Sequence, residues 1–273
     1  MDADRQQRRD DSIPRRLTDQ AFADVSARFP LHDLTRVRDF LEIVSGQSRP
    51  VFHAYQSTKL PPVHFPGLPA EPFYETSAFA EASDLEQEFE LIRDEAGCLL
   101  TGAVTPKLYE SKGITRWPKW KKLTFYEQGR SGRVPETFEQ FPATGQLVDR
   151  LVPEYEDFLS IGFLIQDGNM RLAPHIDWFN LYVSLWLPII VPAGCGIEVA
   201  GERRELKAGK CIAFDNSFMH SSWNDSNEPR IVFAIYRLTP RITRIEAKAF
   251  MYIREAYGKQ FGLAAATASA RLQ

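Results

Sequence analysis

Cysteine is scarce in this chain: Cys98, Cys195 and Cys211 are the three in 273 residues. They form no CxxC pair and their number is odd, which argues against a disulfide framework and makes a reducing cytoplasm the expected compartment. Charge of one sign is scarce too. A formal net charge of -3 with 25% charged residues calls for neither nucleic acid nor an anionic membrane as partner. No apolar run is long and clean enough to cross a bilayer, because Leu181 to Ile197 is interrupted by Ser184, Pro188 and Pro192 and reads as buried strand. No apolar core follows the early basic residues, so no signal peptide is expected. The loop Gly129-Arg130-Ser131-Gly132-Arg133 lacks the Gly-Lys-Ser/Thr ending of a phosphate loop. None of these features speaks to oligomeric state.

What the chain does have is 44% hydrophobic residues, enough for one large domain with a full core. Residues 1–16, rich in Arg, Asp and Gln, read as a disordered tail because they bury too little surface to offset chain entropy. A single domain is expected over 17–262, with a helical part over 17–115, a strand-rich core over about 117–240 and a closing helix over 242–257. The Ala-rich residues 263–273 read as frayed. Leu34, Val37, Leu41 and Val44 recur at helical spacing within a helix or helix pair over Leu17 to Ser45. Phe79 to Glu95 returns to that period, and a short helix is expected near Thr144 to Leu151. The Pro-rich segment Pro61 to Pro69 is an ordered connector, with His64 structural. Trp117 to Lys122 leads into a strand, Leu123 to Glu127, as an edge or substrate-rim element.

Short strands are expected at Phe158 to Gln166, Arg171 to His175, Leu181 to Ile190, Gly196 to Val199, Arg204 to Leu206, Cys211 to Phe214 and Ile231 to Arg237, with a hairpin turn at Gly201-Glu202. This spacing predicts a mainly β fold with flanking helices, an antiparallel sandwich or jelly roll.

The densest chemistry lies between Leu172 and Pro240. Ala173-Pro174-His175-Ile176-Asp177-Trp178-Phe179-Asn180 carries a His-x-Asp pair, and residues i and i+2 of a strand share a face. A second imidazole, His220, closes Phe214-Asp215-Asn216-Ser217-Phe218-Met219-His220. Two histidines and one carboxylate with open positions make the facial triad of non-heme Fe(II) oxygenases; the alternative is a pair of hydrogen-bonded core histidines. Asp215 and Ser217 either orient His220 or form a tight turn bonded to its own backbone. Arg230, Val232, Ala234 and Tyr236 share one face of an apolar strand. A guanidinium facing inward there needs an anionic partner, and its fork suits a carboxylate.

The segment from His175 to Pro240 resembles the aspartyl/asparaginyl β-hydroxylase family of 2-oxoglutarate and Fe(II)-dependent oxygenases. The resemblance is carried by Phe214-Asp215-Asn216-Ser217-Phe218-Met219-His220-Ser221-Ser222-Trp223-Asn224-Asp225-Ser226 and Arg230, and upstream by His64 to Tyr74 and Leu91 to Glu95. It implies a double-stranded β-helix, the cupin-like jelly roll, with Fe(II) on His175, Asp177 and His220. It also implies 2-oxoglutarate and O2 as co-substrates, with Arg230, Ser184 and Trp186 at the cofactor. Trp178, Phe179 and Tyr182 would line the substrate pocket, Trp178 and Phe179 at its mouth; as jelly-roll aromatics they are alternatively core. Mammalian members lack a carboxylate at the position of Asp177 and carry an Arg and a His where this chain has Ser184 and Trp186. Some bacterial members, including lipid A acyl-chain hydroxylases, do have His-x-Asp. The implied reaction is hydroxylation of an unactivated C–H bond in a small or carrier-bound amino acid or acyl compound, with release of succinate and CO2. Desaturation or cyclisation by the same chemistry, a non-catalytic binding jelly roll and a zinc hydrolase are the alternatives.

Overall fold

A computed structural model of the chain describes residues 13–51, 64–104, 107–108, 120–127, 132–151, 158–177, 179–261 and 263. The expected N-terminal tail up to residue 12, Pro61 to Val63, Trp117 to Lys119 of the expected edge element, Trp178, and the C-terminal stretch beyond 263 lie outside the described residues.

The helices form where apolar residues recur every three or four positions. Helix α1 (Arg15–Ser26) buries Ala21 and Val25, and α2 (Thr35–Val44) buries Val37, Phe40 and Leu41. Both meet the closing helix α8 (Arg244–Tyr257), which buries Ala247, Ala249, Phe250 and Ile253. That helix starts at Arg244, not at Ile242, because the Thr243 hydroxyl accepts from the Glu246 N–H and the Glu246 carboxylate reaches back to the Thr243 N–H. The same carboxylate accepts from Arg36 Nε at 2.7 Å, tying α2 to α8. The expected single periodic run at Phe79 to Glu95 is two helices, α3 (Ala80–Gln87) and α4 (Phe89–Ala96), followed by a turn of helix α5 (Cys98–Thr101). Helices α6 (Pro135–Gln140) and α7 (Pro142–Leu151) complete the layer.

Twelve strands are described. The short ones are β1 (Phe73–Tyr74), β2 (Lys107–Leu108) and β4 (Gly132–Arg133). The long ones are β3 (Trp120–Glu127), β5 (Phe158–Gln166), β6 (Met170–His175), β7 (Tyr182–Ile190), β8 (Cys195–Val199), β9 (Glu202–Glu205), β10 (Ile212–Asp215), β11 (His220–Asn224) and β12 (Arg230–Leu238). They make an antiparallel major sheet, β1-β10-β7-β12-β5-β3-β2 with β4 on β3, and a minor sheet, β6-β11-β8-β9. The chain passes from one sheet to the other after β5, β6, β7, β9, β10 and β11, which is the winding of a double-stranded β-helix.

Strand β7 explains why its sequence lacks alternation. One face, Val183, Leu185, Leu187 and Ile189, packs with Ile231, Phe233 and Ile235 of β12 into a core shared with α3, α4, α6 and α7. The other face, with Trp186, meets Val232, Ala234, Phe214, Ile197, Val199 and Phe218 between the sheets. A strand buried on both faces reads as a continuous apolar run, and among the described residues no helix is long and apolar enough to cross a membrane. In β6 the pattern does alternate, Met170 and Leu172 buried and Arg171 and Ala173 exposed.

The β8–β9 hairpin turns on Ala200 (φ 53°) and Gly201 (φ 83°), one residue earlier than expected. Two consecutive positive φ values mark a type I′ turn. The edge strand β9, Glu202-Arg203-Arg204-Glu205, is exposed at every residue. In β5, Gly162 is required by close approach, since a Cβ there would lie 2.2 Å from the Leu123 carbonyl oxygen.

Candidate active site

His175 ends β6 and His220 begins β11, and the two are register partners across the minor sheet. Their ring centroids are 4.1 Å apart. Asp177 lies beyond the end of β6, so strand alternation is not what aims it. Its N–H donates to the Asn216 carbonyl at 2.8 Å, which draws the chain back towards the turn before β11. Ligand atoms of His175, Asp177 and His220 then lie within 4.8 Å of one another.

Both imidazoles are oriented by backbone. His175 Nδ1 faces the Ala173 carbonyl at 2.8 Å and His220 Nδ1 faces the Phe218 carbonyl at 2.9 Å. A carbonyl only accepts, so each Nδ1 carries the proton and each Nε2 offers a lone pair. Burial, reinforced by the neighbouring His175, holds the His220 imidazole down to about 4, so it is neutral at pH 7. Asp215 and Ser217 settle as the turn alternative: the Asp215 carboxylate accepts from the Ser217 N–H at 2.7 Å, and it is Phe218 that orients His220. Burial pushes Asp215 up to about 7, with the Asp177 charge adding to the rise.

From the triad an aromatic floor runs to a buried cation. Phe214 lies 5.9 Å from the His220 ring, Trp186 packs edge-on to Phe214 at 5.0 Å, and the Arg230 guanidinium sits 5.3 Å from the Trp186 centroid. Ser184, buried, is paired in register with Phe214 on one side and Tyr236 on the other. Arg230 is 1% exposed, and among the described residues its Nε and Nη1 have no hydrogen-bond partner. Burial brings the guanidinium down to about 10. A buried guanidinium with unpartnered donors, at the end of a floor that starts at the triad, fits a carboxylate arriving from outside the chain. The donor set of two imidazoles and one carboxylate likewise fits a divalent first-row metal ion.

A profile of the aspartyl/asparaginyl β-hydroxylase family matches residues 86–240, more than half of the chain. The chain belongs to this family. A human protein named aspartyl/asparaginyl β-hydroxylase is 28% identical over 183 residues, 65% of this chain and 24% of its own length. Human aspartate β-hydroxylase domain-containing protein 2 is 25% identical over 204 residues, 72% of this chain and 55% of that protein. An ornithine lipid ester-linked acyl 2-hydroxylase of Rhizobium tropici is 25% identical over 177 residues, 62% of this chain and 61% of its own. The chain thus spans about a quarter of the human β-hydroxylase.

Within this β-hydroxylase fold the residues expected at the substrate divide. Phe179 is 3% exposed and belongs to the helical core, edge-on to Tyr182 and Phe250. The expectation of Phe179 at the mouth is corrected, and the cause is its neighbour. Asn180 accepts from the Phe65 N–H and donates to the Phe65 carbonyl, both at 2.8 Å, which pulls the chain off the site and under the helices. Tyr182 is buried in the same helical cluster, its hydroxyl accepting from Arg254 at 3.3 Å and its ring 5.5 Å from Tyr236. It is therefore a core aromatic and not a pocket wall. His64 is buried and stands apart from the triad, as expected of a structural histidine.

Three contributors were not singled out by sequence: the carbonyls of Phe218 and Asn216, and Tyr236, whose hydroxyl reaches Asp177. Backbone acceptors leave no sequence signal. For Tyr236 the signal existed, because alternation from Arg230 put it on the inward face.

Proposed function

We propose that this chain is an Fe(II)- and 2-oxoglutarate-dependent hydroxylase. The observation that carries the reading is the buried Arg230 guanidinium with unpartnered Nε and Nη1, joined through Trp186 and Phe214 to the His175, Asp177 and His220 cluster. A zinc hydrolase would leave that guanidinium without a purpose, whereas a dicarboxylic keto acid has one carboxylate for the metal and one for the arginine.

His175 and His220 would hold the ion through Nε2, and Asp177 would supply the single negative charge. When bound, ferrous iron supplies oxygen activation coupled to oxidative decarboxylation of 2-oxoglutarate, yielding succinate and CO2. Arg230 would bind the distal carboxylate, with the Ser184 hydroxyl and the Trp186 ring shaping the wall. The apolar floor of Trp186, Phe214, Val232 and Ala234 keeps water away from the reacting carbon.

The substrate we propose is a small or carrier-bound amino acid or acyl compound. The floor itself is uncharged apart from Arg230, since Ser184 and Trp186 stand where mammalian members carry Arg and His. The R. tropici relative, by its name, hydroxylates the acyl chain of an ornithine lipid.

Anaerobically iron-loaded protein, given 2-oxoglutarate and oxygen with and without a panel of amino acids and acyl compounds, tests the reading. Succinate above a His175→Ala control is expected, increased by the substrate class, and mass analysis of the product separates hydroxylation from desaturation or cyclisation. No 2-oxoglutarate binding by the metal-loaded protein would overturn the assignment.

A further inference from the structure

Besides the backbone carbonyls, one side-chain hydrogen bond to the triad is found among the described residues. The Tyr236 hydroxyl donates to Asp177 Oδ2 at 3.2 Å. Asp177 stands past the end of β6 and is held from the backbone side by a single N–H to Asn216, so its carboxylate has freedom about both side-chain torsions unless another group restrains it. Tyr236 is suited to restrain it, because it projects from β12, which is paired on both edges, with β5 and β7. Its ring is backed by Tyr182 at 5.5 Å, and the Tyr182 hydroxyl is held by Arg254 of α8.

We propose that Tyr236 is a positioning residue that engages one oxygen of Asp177 and so presents the other, alone, to the point shared with His175 and His220. The inference rests on the metal-centre reading above. A carboxylate free to rotate can offer both oxygens to one ion and occupy an extra coordination position. One oxygen engaged by a phenol leaves a single-oxygen ligand and keeps adjacent positions open for a bidentate keto acid and oxygen. The hydroxyl also balances the half-buried carboxylate, which has no guanidinium or ammonium beside it among the described ion pairs. The device couples the closing helix to the site: Arg254 fixes Tyr182, Tyr182 backs Tyr236, and Tyr236 sets Asp177.

The test is Co(II) binding to the metal-free full-length protein, followed by chelator competition and by the visible ligand-field spectrum, with folding monitored by circular dichroism. Tyr236→Phe is expected to weaken Co(II) binding about ten-fold or more, the range found when an outer partner of a metal ligand is removed, and to change the spectrum. Tyr74→Phe, which loses a comparable buried hydroxyl bonded to Thr239 at 3.2 Å, is expected to lower stability and leave Co(II) affinity and spectrum unchanged. In an Asp177→Ala background, Tyr236→Phe is expected to have no further effect on affinity. Wild-type affinity and spectrum in folded Tyr236→Phe would overturn the inference alone, as would an equal loss in both backgrounds. Wild-type protein that binds no Co(II), or binds it as well after His175→Ala, would overturn the metal-centre reading itself.

Discussion

Replacing Arg230 by Met should make the ligand-free protein more stable while destroying its affinity for 2-oxoglutarate. The guanidinium is 1% exposed and lacks partners at Nε and Nη1. Its fall from its ordinary value to about 10 corresponds to a folded-state penalty of about 3 kcal/mol. Methionine fills nearly the same volume without a charge, and what it gives up is the contact over Trp186, worth about 1 kcal/mol. The net gain of about 2 kcal/mol converts to a rise in Tm of roughly 4–8 °C for a domain of this size. Affinity moves the other way, because removing one partner of a desolvated charge pair costs about 2–5 kcal/mol, or roughly 30- to several-thousand-fold in Kd. Thermal unfolding of both proteins, metal-loaded, with and without 2-oxoglutarate, reads both effects. The wild type should start lower and climb with ligand; Arg230→Met should start higher and not respond. An Arg230→Met protein that melts below the ligand-free wild type would refute the reasoning, since it would mean that the guanidinium is already satisfied.

Asp215 gives a pH dependence. Burial raises its carboxyl to about 7 in the folded, metal-free protein against about 3.9 when unfolded, so between those values the folded state binds more protons. Its contribution is fully present below about pH 4, declines as the pH rises to about 7 and is flat above that. Asp215→Asn keeps the acceptor for the Ser217 N–H and should gain on wild type in urea midpoint at pH 8 relative to pH 4; a pH-independent difference would contradict this. Phe179→Ala should cost about 3–5 kcal/mol of stability and leave the KM for 2-oxoglutarate unchanged, and a raised KM with normal stability would return Phe179 to the pocket. Gly162→Ala should cost about 1–3 kcal/mol or more by overpacking, because the atom its Cβ would meet is backbone at 2.2 Å; equal urea midpoints would show that β3 yields there.

Sequence reading succeeded where one physical cause dominated. Strands β5, β7 and β12 were legible almost to the residue because both of their faces are buried and their apolar runs are long. Strand β11 was not, since its inward residues His220, Ser222 and Asn224 are polar and so carry no apolar alternation. The two-residue strands β1, β2 and β4 are too short for any period. The break between α3 and α4 at Glu88 has no Gly or Pro to announce it. At the site, residue type singled out His175, Asp177, His220 and Arg230, but the strand alternation expected to aim Asp177 does not do so, because β6 ends at His175 and the Asn216 carbonyl draws Asp177 in. Phe179 misled because nearness in sequence to Asp177 was taken as nearness in space, and a pair of hydrogen bonds from Asn180 to Phe65, over a hundred positions away, decides otherwise.

The four residues of β9 bear on how this protein behaves when concentrated. Its outer row of N–H and C=O groups is a template on which another chain's strand can grow, the route by which folded sheets seed aggregates. Glu202, Arg203, Arg204 and Glu205 are all exposed, so each face of that rim carries one acid and one base, and an incoming apolar strand would strip water from four ionic groups. Only a segment with the complementary order of charges could dock, which makes the rim a selective filter against the protein's own apolar strands during folding.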